Sequence, residues 1–331
     1  MKKIVVIFVL IFSIVLVSCN SSNQKKKNEN QKDITVAQWG QEKYLIYLPF
    51  YVALEKGFFK DEGLNIIIKF SGNDDQVFAT VLSGDAQFGI CDPVFTAIAR
   101  ERGAKGKVIA SIVNGVAIWG ATNKDIEPIE TLDDLAGLRV GTFPEPSTNY
   151  ALMKKTILNG GEILKNTKIV QAPIGSQLAL LENGSADIAM ELEPGTSIAE
   201  SKGYKIIYSS SKFFGEFAFT GLTTTEEYIN NNSETVQQFV NAIEKALCFC
   251  HENNTVTIEI ASTLFPNLEK DIVANAVNRM LADKTIPEHA VMTDEAWQKA
   301  LQIRVDIGDL KELKPTSDAV DNKFASKSKG I

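Results

Sequence analysis

Residues 47–75, YLPFYVALEKGFFKDEGLNIIIKFSGNDD, contain the alternation of elements that decides the fold. Pro49 has no N–H to donate, so it suits the first turn of a helix that continues through the apolar residues after it. Gly57 suits the left-handed position just past a helix end. The apolar run at 65–70 predicts a strand, and another strand is predicted upstream at 34–39. The order strand, helix, strand is typical of a parallel sheet in an α/β protein.

The alternation of strand and helix patterns continues along the chain as far as residue 223, and helices follow it. Further strands are predicted at 86–90, 108–113, 138–142, 167–171, 187–192 and 204–208. Further helices are predicted at 74–83, 93–102, 148–158, 176–182, 195–201, 234–253, 255–264, 269–282 and 294–307. Residues 217–223 are interpreted as the chain crossing back, and the late helices as completing the first part of the molecule.

Two segments about a hundred residues apart resemble each other: LSGDAQFGICDP at 82–93 and LENGSADIAMELEP at 181–194. Gly84 aligns with Gly184, and with a shift of one residue Asp92-Pro93 faces Glu193-Pro194. One interpretation is that two similar lobes each end a helix at glycine and run a short strand to a carboxylate at the sheet edge. The other is a chance similarity between two helix-to-strand junctions.

The first residues form a segment of a different kind. Lys2 and Lys3 precede an apolar run at 4–17, which is shorter than the about 20 apolar residues that cross a bilayer. A basic start, a short apolar stretch and a small residue before the break are typical of a secretory signal peptide. Leu-Val-Ser-Cys at 16–19 resembles the lipobox of bacterial lipoproteins, whose cysteine is acylated. We therefore expect a lipoprotein signal peptide at 1–18 and an acyl chain such as palmitate on Cys19; the alternative is an ordinary cleaved signal.

Composition limits the function of the remaining chain. Residues 20–33 have no apolar side chain, so we expect 19–33 to be a flexible tether. From residue 19 onward 32 basic face 41 acidic side chains, a formal charge of −9, which argues against nucleic acid as a partner. The length indicates two lobes. We assign 34–120 plus 218–331 to lobe I and 121–217 to lobe II.

A ligand site is expected where the two lobes face each other, because open α/β sheets bind ligands outside the carboxyl ends of their strands. Aromatic side chains beside the first strand would stack on a flat ligand. Carboxylates after two later strands favour an amine or an N–H-rich ligand, although they could instead cap helices or form salt bridges at a hinge. The aromatic candidates are Trp39, Tyr44 and Tyr47, and the acidic candidates are Asp92, Glu191 and Glu193.

Further polar candidates come from other strand ends. Ser147, Thr148 and Asn149 follow Pro-Glu-Pro and bring hydroxyl and amide groups to a helix start, where free N–H groups favour anions. Ser147 also suits a plain N-cap. Asn73 and Asn114 lie in two other strand-end segments. No Arg or His is evident beside the Ser-Thr pair, so the sequence offers no cation for an anionic ligand there.

Chemistry beyond binding is not predicted. The chain has no hydrolase elbow, P-loop or zinc-protease motif, and no matched acid and base pair. Its two histidines, His251 and His289, are expected on late helices. Cys248-Phe249-Cys250-His251 is considered as a metal ligand set, but a tetrahedral site needs three or four converging ligands, and we expect neither a metal nor a cofactor. Cys248 and Cys250 diverge on a helix, which disfavours a disulfide.

The opening stretch carries the pattern Pro-x-x-x-Ala-x-x-x-Gly-x-Phe-x-x-x-Gly-Leu, from Pro49 to Leu64. With LSGDAQFGI, LDDLAGLRVGT and NGSADIAM, it resembles the ABC-transporter substrate-binding proteins for nitrate, taurine, alkanesulfonates and thiamine pyrimidine precursors. The resemblance covers about residues 34–250. It implies the α/β type II periplasmic-binding-protein fold, in which two doubly wound lobes around a ligand cleft are joined by two crossing strands.

The resemblance also implies a function. We expect a monomeric, lipid-anchored receptor, not an enzyme, at the cell membrane facing the periplasm or the exterior, which delivers its ligand to a permease and its ATPase. Pyrimidine binders of the family stack a ring between aromatics and hold amino groups with carboxylates, as Trp39, Tyr47, Asp92 and Glu193 would. Alternatives are an alkanesulfonate, taurine or nitrate binder, a pyrimidine-synthesising enzyme of the same fold, and a surface adhesin or sensor.

Overall fold

The computed structural model describes residues 31–329. The predicted signal peptide, Cys19 and most of the predicted tether lie outside the described residues. Within 31–329, no helix combines the length and the apolar character needed to cross a membrane.

The strands of the described chain form two five-stranded sheets. They are β1 (Lys32–Gln38), β2 (Leu64–Phe70), β3 (Phe88–Cys91), β4 (Gly106–Asn114), β5 (Trp119–Thr122), β6 (Arg139–Thr142), β7 (Lys168–Gln171), β8 (Ile188–Glu191), β9 (Lys205–Ser209) and β10 (Ala218–Thr225). The strand orders are β2-β1-β3-β10-β4 and β7-β6-β8-β5-β9. In the first sheet β1 is parallel to β2 and β3, and β10 is antiparallel to β3 and β4. In the second sheet β6 is parallel to β7 and β8, and β5 is antiparallel to β8 and β9.

Helices cover both sheets, which gives each of them its own α/β lobe. The helices are α1 (Leu48–Glu55), α2 (Phe58–Asp61), α3 (Asp74–Leu82), α4 (Val94–Glu101), α5 (Thr148–Leu164), α6 (Gln177–Glu182), α7 (Gly195–Ser201), α8 (Ser210–Phe214), α9 (Glu226–Asn231), α10 (Ser233–Glu252), α11 (Asn254–Leu264), α12 (Lys270–Ala282), α13 (Asp294–Asp306), α14 (Thr316–Ala319) and α15 (Lys323–Ser328).

The opening strand–helix–strand prediction is confirmed. Helix α1 has Pro49 in its first turn, and Gly57 follows its end with φ of 77°. Strand β5 is absent from the sequence prediction. All four of its residues pair within the second sheet, so the division proposed between residues 120 and 121 falls inside this strand.

The resemblance between 82–93 and 181–194 corresponds to a shared backbone conformation. Gly84 and Gly184 have φ of 82° and 73°, a left-handed region that favours glycine. The N–H of each donates to the carbonyl three residues earlier, at 3.1 Å in both lobes. Ala86 and Ala186 each donate to the carbonyl six residues earlier, at 3.3 and 2.9 Å. The first segment leads into β3, which is parallel to β1, and the second leads into β8, which is parallel to β6.

The core of the first lobe contains a cluster of aromatic rings between the sheet and two helices. The ring of Phe239, on α10, lies 4.3 Å from that of Phe88 on β3 and 4.7 Å from that of Phe59, measured between centroids. All three side chains are buried. This packing attaches α10 and α2 to the sheet.

The late helices do more than complete the first lobe. Helix α10 packs on α1, α2 and α15, as expected, but α12 packs on α7 and α13 packs on α5, both of which belong to the second lobe. Helix α13 also contacts β10 and α4 of the first lobe. These two helices therefore connect the lobes alongside the segments 115–118 and 210–217, which link the two sheets. The predicted crossing at 217–223 falls almost entirely within β10, so the chain has already returned to the first sheet there.

Candidate functional site

A cavity of about 310 Å³ lies where strand ends of the two sheets face each other. The first lobe contributes Trp39 after β1, Asp74 at the start of α3 and Asp92 after β3. The second lobe contributes the loop 143–149 and residues 173–174. This is the edge at which the sequence placed a ligand site, and both lobes supply walls.

Most of the wall is apolar or aromatic. The aromatic lining consists of Trp39, Tyr47, Phe95, Phe143 and Phe219. Trp39 is 8% exposed, with the ring of Tyr47 edge-on to it at 6.5 Å between centroids. Burial, followed by the nearby Asp74, raises the pKa of Tyr47 well above its usual value, so its phenol stays neutral. Such walls suit the faces of a flat ring.

Four acidic residues line the cavity, Asp74, Asp75, Asp92 and Glu145, and two of them, Asp74 and Asp92, are joined by a hydrogen bond. The backbone N–H of Asp92 donates to Asp74 Oδ1 at 2.7 Å, and Asp92 Oδ1 accepts the N–H of Val94 at 3.0 Å, at the start of α4. Asp74 has one side towards the cavity, yet burial and then the charge of Asp92 raise its pKa to about 7. Near neutral pH the Asp74 carboxyl group can therefore either donate or accept a hydrogen bond.

An arginine that the sequence analysis did not find lies behind these carboxylates. Arg304, on α13, is 2% exposed, and its Nη2 lies 3.2 Å from both Asp92 Oδ2 and Thr148 Oγ1. Its Nη1 donates to the Pro146 carbonyl and to Asp309 Oδ2, each at 2.9 Å. Since Arg304 is 156 residues from Thr148 in the chain, no local motif reveals this contact.

This arginine completes a polar junction between the lobes. The hydroxyl of Thr148, in the second lobe, donates to Asp92 Oδ2, in the first. Arg304 binds the same two side chains and the loop before α5. None of the residues that line the cavity within the described chain is Lys, Arg or His, so the positive charge lies behind the wall and is already paired.

The start of α5 brings further polar groups to the cavity. Ser147 Oγ accepts the N–H of Tyr150 at 3.3 Å, so Ser147 is the expected N-cap. Asn149 is 4% exposed, and within the described residues its Nδ2 has no hydrogen-bond acceptor. Because an unpaired buried donor is costly, Asn149 is a candidate to bind an acceptor atom of a ligand.

The structure brings seven predicted ligand-binding residues to the cavity wall and places four elsewhere. Those at the wall are Trp39, Tyr47, Asn73, Asp92, Ser147, Thr148 and Asn149. Tyr44 packs against Trp39, with 4.6 Å between ring centroids, and faces a neighbouring shallow pocket. The Asn114 side chain accepts the N–H of Phe217 at 3.3 Å. Asn114 lines a separate cavity, next to the segments that link the two sheets.

The two glutamates of the second lobe are not at the wall, because each is buried against other groups. Glu193 pairs with Arg279 of α12 at 2.7 Å and accepts the N–H and O–H of Ser197, both at 3.0 Å. Glu193 therefore forms a salt bridge, as in the alternative left open by the sequence, between α12 and the segment that precedes α7. Glu191 lies against Gly195, and burial raises its pKa to about 8.

The comparisons with known proteins identify the family. The model of the family described as NMT1/THI5 like matches residues 46–255. The chain belongs to the NMT1/THI5-like family. The match begins just before the cavity residue Tyr47 and includes the whole of the second lobe.

Three curated proteins are similar to this NMT1/THI5-like chain over most of its length. The putative binding protein YtlA of Bacillus subtilis (strain 168) is 25% identical over 86% of either chain. The riboflavin-binding protein RibY of Chloroflexus aurantiacus is 20% identical over 79% of this chain and 72% of its own. The formylaminopyrimidine-binding protein of Halalkalibacterium halodurans is 22% identical over 80% of this chain and 79% of its own.

Solved structures confirm the fold expected from the resemblance. The nitrate-binding protein NrtA from Synechocystis PCC 6803 gives a TM-score of 0.66 at 12% identity, covering 90% of this chain and 88% of its own. The aliphatic sulphonate binding protein SsuA from Escherichia coli gives 0.61 at 13% identity, covering 75% and 83%. The NMT1/THI5-like chain therefore has the two-lobed fold of periplasmic substrate-binding proteins.

The junction around Arg304 can be tested by a double-mutant cycle with Asp92. Arg304→Met leaves buried carboxylate groups without their cation, and we expect it to lower the free energy of unfolding by about 3–5 kcal/mol. Adding Asp92→Asn should recover at least about 1 kcal/mol relative to the sum of the single changes. Denaturant unfolding measures each value.

A surface pair provides the control for that cycle. Lys205 binds Asp125 at 2.7 Å with both side chains largely exposed, so Lys205→Met should leave the free energy of unfolding nearly unchanged. Strict additivity of Arg304→Met and Asp92→Asn would show that the two side chains are not coupled.

The raised pKa of Asp74 predicts a pH-dependent stability. Between about pH 4 and 7 the carboxyl group ionises in the unfolded chain but keeps its proton in the folded one, so wild-type stability from this group falls as pH rises. Asp74→Asn does not titrate and keeps an oxygen for the Asp92 N–H. Its advantage over wild type should therefore grow across this window, by at most about 1.4 kcal/mol per pH unit.

The measurement is denaturant unfolding of both proteins at several pH values, with Asp61→Asn as the control because Asp61 is exposed on α2 and does not line the cavity. A difference between wild type and Asp74→Asn that stays constant from pH 4 to 8 would contradict the raised pKa.

Proposed function

We propose that this protein is an extracytoplasmic solute-binding lipoprotein of an ABC importer whose cleft closes on a small planar N–H-rich nutrient, with a pyrimidine precursor of thiamine as the favoured ligand. The observation that carries the proposal is the combination of aromatic walls with the carboxyl groups of Asp74 and Asp92 in one interlobe cavity. Aromatic walls hold the faces of a ring, and carboxylates accept hydrogen bonds from amino groups at its edge.

An aminopyrimidine complements the individual polar groups. Its exocyclic amino group would donate to Asp74 or Asp92, and a ring nitrogen would accept from the unpaired Nδ2 of Asn149. A cavity of about 310 Å³ lies at the lower end of the range for small-molecule sites, which suits a single ring better than a fused three-ring flavin.

The relatives support this ligand class without fixing the ligand. One is named for formylaminopyrimidine and another for riboflavin, and both of those ligands contain a planar nitrogen heterocycle. The curated relatives are named as binding proteins, which supports a receptor rather than a pyrimidine-synthesising enzyme. Within the described residues, the two histidines of the chain line a different cavity, so they do not offer acid–base catalysis to this one.

A second candidate function is the binding of a sulfonate, taurine or nitrate. The start of α5, with Ser147 and Thr148 at the cavity, favours it, because free N–H groups at a helix start attract anions. The structures similar to this chain include a sulphonate-binding and a nitrate-binding protein. Against it stand Asp74 and Asp92 on the opposite wall.

Ligand binding would act through the balance between open and closed lobes. A ligand that contacts Asp92 and Asn149 touches both lobes, so it binds the closed form better and increases its population. The hydrogen bond from the Thr148 hydroxyl to Asp92 also joins the two lobes, so it stabilises the same closed form. The closed form would then be the one that delivers the ligand to the permease and its ATPase.

Calorimetric titration against a panel of ligands tests the proposed function. We expect formylaminopyrimidine or a related aminopyrimidine to bind, with taurine, alkanesulfonates and nitrate at least a hundredfold weaker. Trp39→Ala should weaken binding at least tenfold, because it removes the ring that stacks on the ligand. Phe70→Ala is the matched control, since Phe70 is 39% exposed on β2 and lies away from the cavity.

One outcome of this titration, and one of a separate mass-spectrometric assay, would overturn the proposal. Tighter binding of an anion than of every pyrimidine would favour the second candidate function. Mass spectrometry of the ligand after incubation separates receptor from enzyme, since a receptor returns its ligand unchanged.

The proposed membrane anchor has its own test. Cys19→Ser removes the acyl acceptor, and we expect the full chain to move from the membrane to the soluble fraction of cells. The control is the neighbouring substitution Ser18→Ala, which keeps Cys19 and should leave the chain at the membrane. Membrane retention of Cys19→Ser would contradict the lipid anchor and leave the ligand proposal intact.

A further inference from the structure

Three residues that can bind a metal converge outside the interlobe cavity, and one of them, Cys248, belongs to the Cys-Phe-Cys-His motif of the sequence. Glu244 and Cys248 are one turn apart on the same face of α10, and His289 lies in the loop between α12 and α13. A carboxylate oxygen, the thiol sulfur and an imidazole nitrogen of these residues lie within 4.8 Å of one another. The sequence predicted His289 on a helix and no metal, because a tetrahedral site needs three or four converging ligands and the chain has only two histidines. Glu244 and His289 share no local motif, so the sequence does not show that they meet.

The carboxylate of this cluster is buried and held in place. Glu244 is 0% exposed; its Oε1 lies 2.6 Å from His289 Nδ1, and its Oε2 accepts the N–H of Ala290 at 2.8 Å. A carboxylate buried among helices needs a cation or a strong donor beside it. His289 and Cys248 are partly exposed, so an ion can reach the cluster.

We propose that Glu244, Cys248 and His289 bind a divalent transition-metal ion of the zinc class. Sulfur, imidazole nitrogen and carboxylate oxygen form a ligand set that zinc accepts with tetrahedral geometry. Bond lengths of about 2.0–2.3 Å place tetrahedral ligand atoms roughly 3.3–3.8 Å apart. The cluster reaches this arrangement by movements on the order of 1 Å, in which the Glu244 and His289 atoms separate slightly and the sulfur approaches.

The fourth position of such an ion has room for water. A cavity of about 830 Å³ is lined by His289 and also by His251 and Glu288. His251 Nε2 lies 3.1 Å from the Ile286 carbonyl and 3.2 Å from the Pro287 carbonyl, so it helps to hold the loop that carries His289. Three protein ligands and one water complete a tetrahedral site.

The location indicates what the ion would do. It would tie α10, in the core of the first lobe, to the loop that joins α12 and α13. These two helices carry Arg279 and Arg304, which bind carboxylates near the second lobe and at the cleft. The site is thus a structural clamp at the base of the helices that connect the lobes, and it is independent of the identity of the nutrient.

Cobalt substitution tests the site directly. Mature protein treated with EDTA is titrated with Co²⁺, and we expect one equivalent to bind with a sulfur-to-cobalt charge-transfer band in the near ultraviolet. Cys248→Ser should abolish this band, and His289→Ala should weaken Zn²⁺ binding at least tenfold by calorimetry. Cys250→Ser is the control, because Cys250 is fully buried outside the cluster and its loss should leave the band in place.

A thermal readout covers the case in which a variant folds poorly. Zn²⁺ in slight excess should raise the unfolding temperature of wild type and Cys250→Ser, but not that of Cys248→Ser. A cobalt complex without a sulfur band, or a band that survives Cys248→Ser, would overturn the proposal. Glu244 and His289 would then be only a hydrogen-bonded pair.

Discussion

The cleft depends on one buried guanidinium group. Arg304 joins Asp92 of the first lobe, Thr148 and the Pro146 carbonyl of the second, and Asp309 beyond its own helix. A buried cation is tolerated only when nearly all its donors are paired, because its desolvation costs several kcal/mol. Four polar partners and the ring of Phe95, 5.4 Å from the guanidinium carbon, meet that requirement. The positions of three distant chain segments are therefore fixed together.

A second arginine repeats this arrangement with a different result. Asp92 and Glu193 end the two similar segments, and each pairs with an arginine from a late helix, Arg304 or Arg279. Asp92 remains at the cavity, whereas Glu193 is fully buried beside Ser197. The two lobes thus share a backbone conformation, but the carboxylates at its end have different roles. Asp92 lines the cavity, whereas Glu193 attaches α12 to the second lobe.

Local signals in the sequence predicted most elements, and long-range contacts account for what it missed. Gly57 and Gly84 mark helix ends because their backbone needs positive φ, a requirement that each residue carries by itself. Strand β5 has four residues, WGAT, too few for a periodic pattern, and only its pairing with β8 and β9 makes it a strand. The role of Arg304 depends on partners 156 and 212 residues away. The directions of Glu191 and Glu193 depend on helices packed against them, which their own segment does not encode.

The charge balance of the cleft bears on the proposed ligand class. Asp92 and Asp309 both pair with the Arg304 guanidinium group, and Asp74 lies beside Asp92, so an ionised Asp74 adds a further negative charge to a cluster whose single cation is already paired. Two like charges about 4 Å apart repel by roughly 4 kcal/mol at an effective dielectric constant of 20, whereas a helix N-terminus stabilises an anion by about 0.3–1 kcal/mol. The repulsion is the larger effect. An ionised Asp74 would therefore weaken the binding of an anion, whereas the proposed ring with amino groups could donate to the ionised carboxylate, and its ring nitrogen could accept from the protonated carboxyl group. The proposed nitrogen heterocycle would thus find a partner in either protonation state of Asp74.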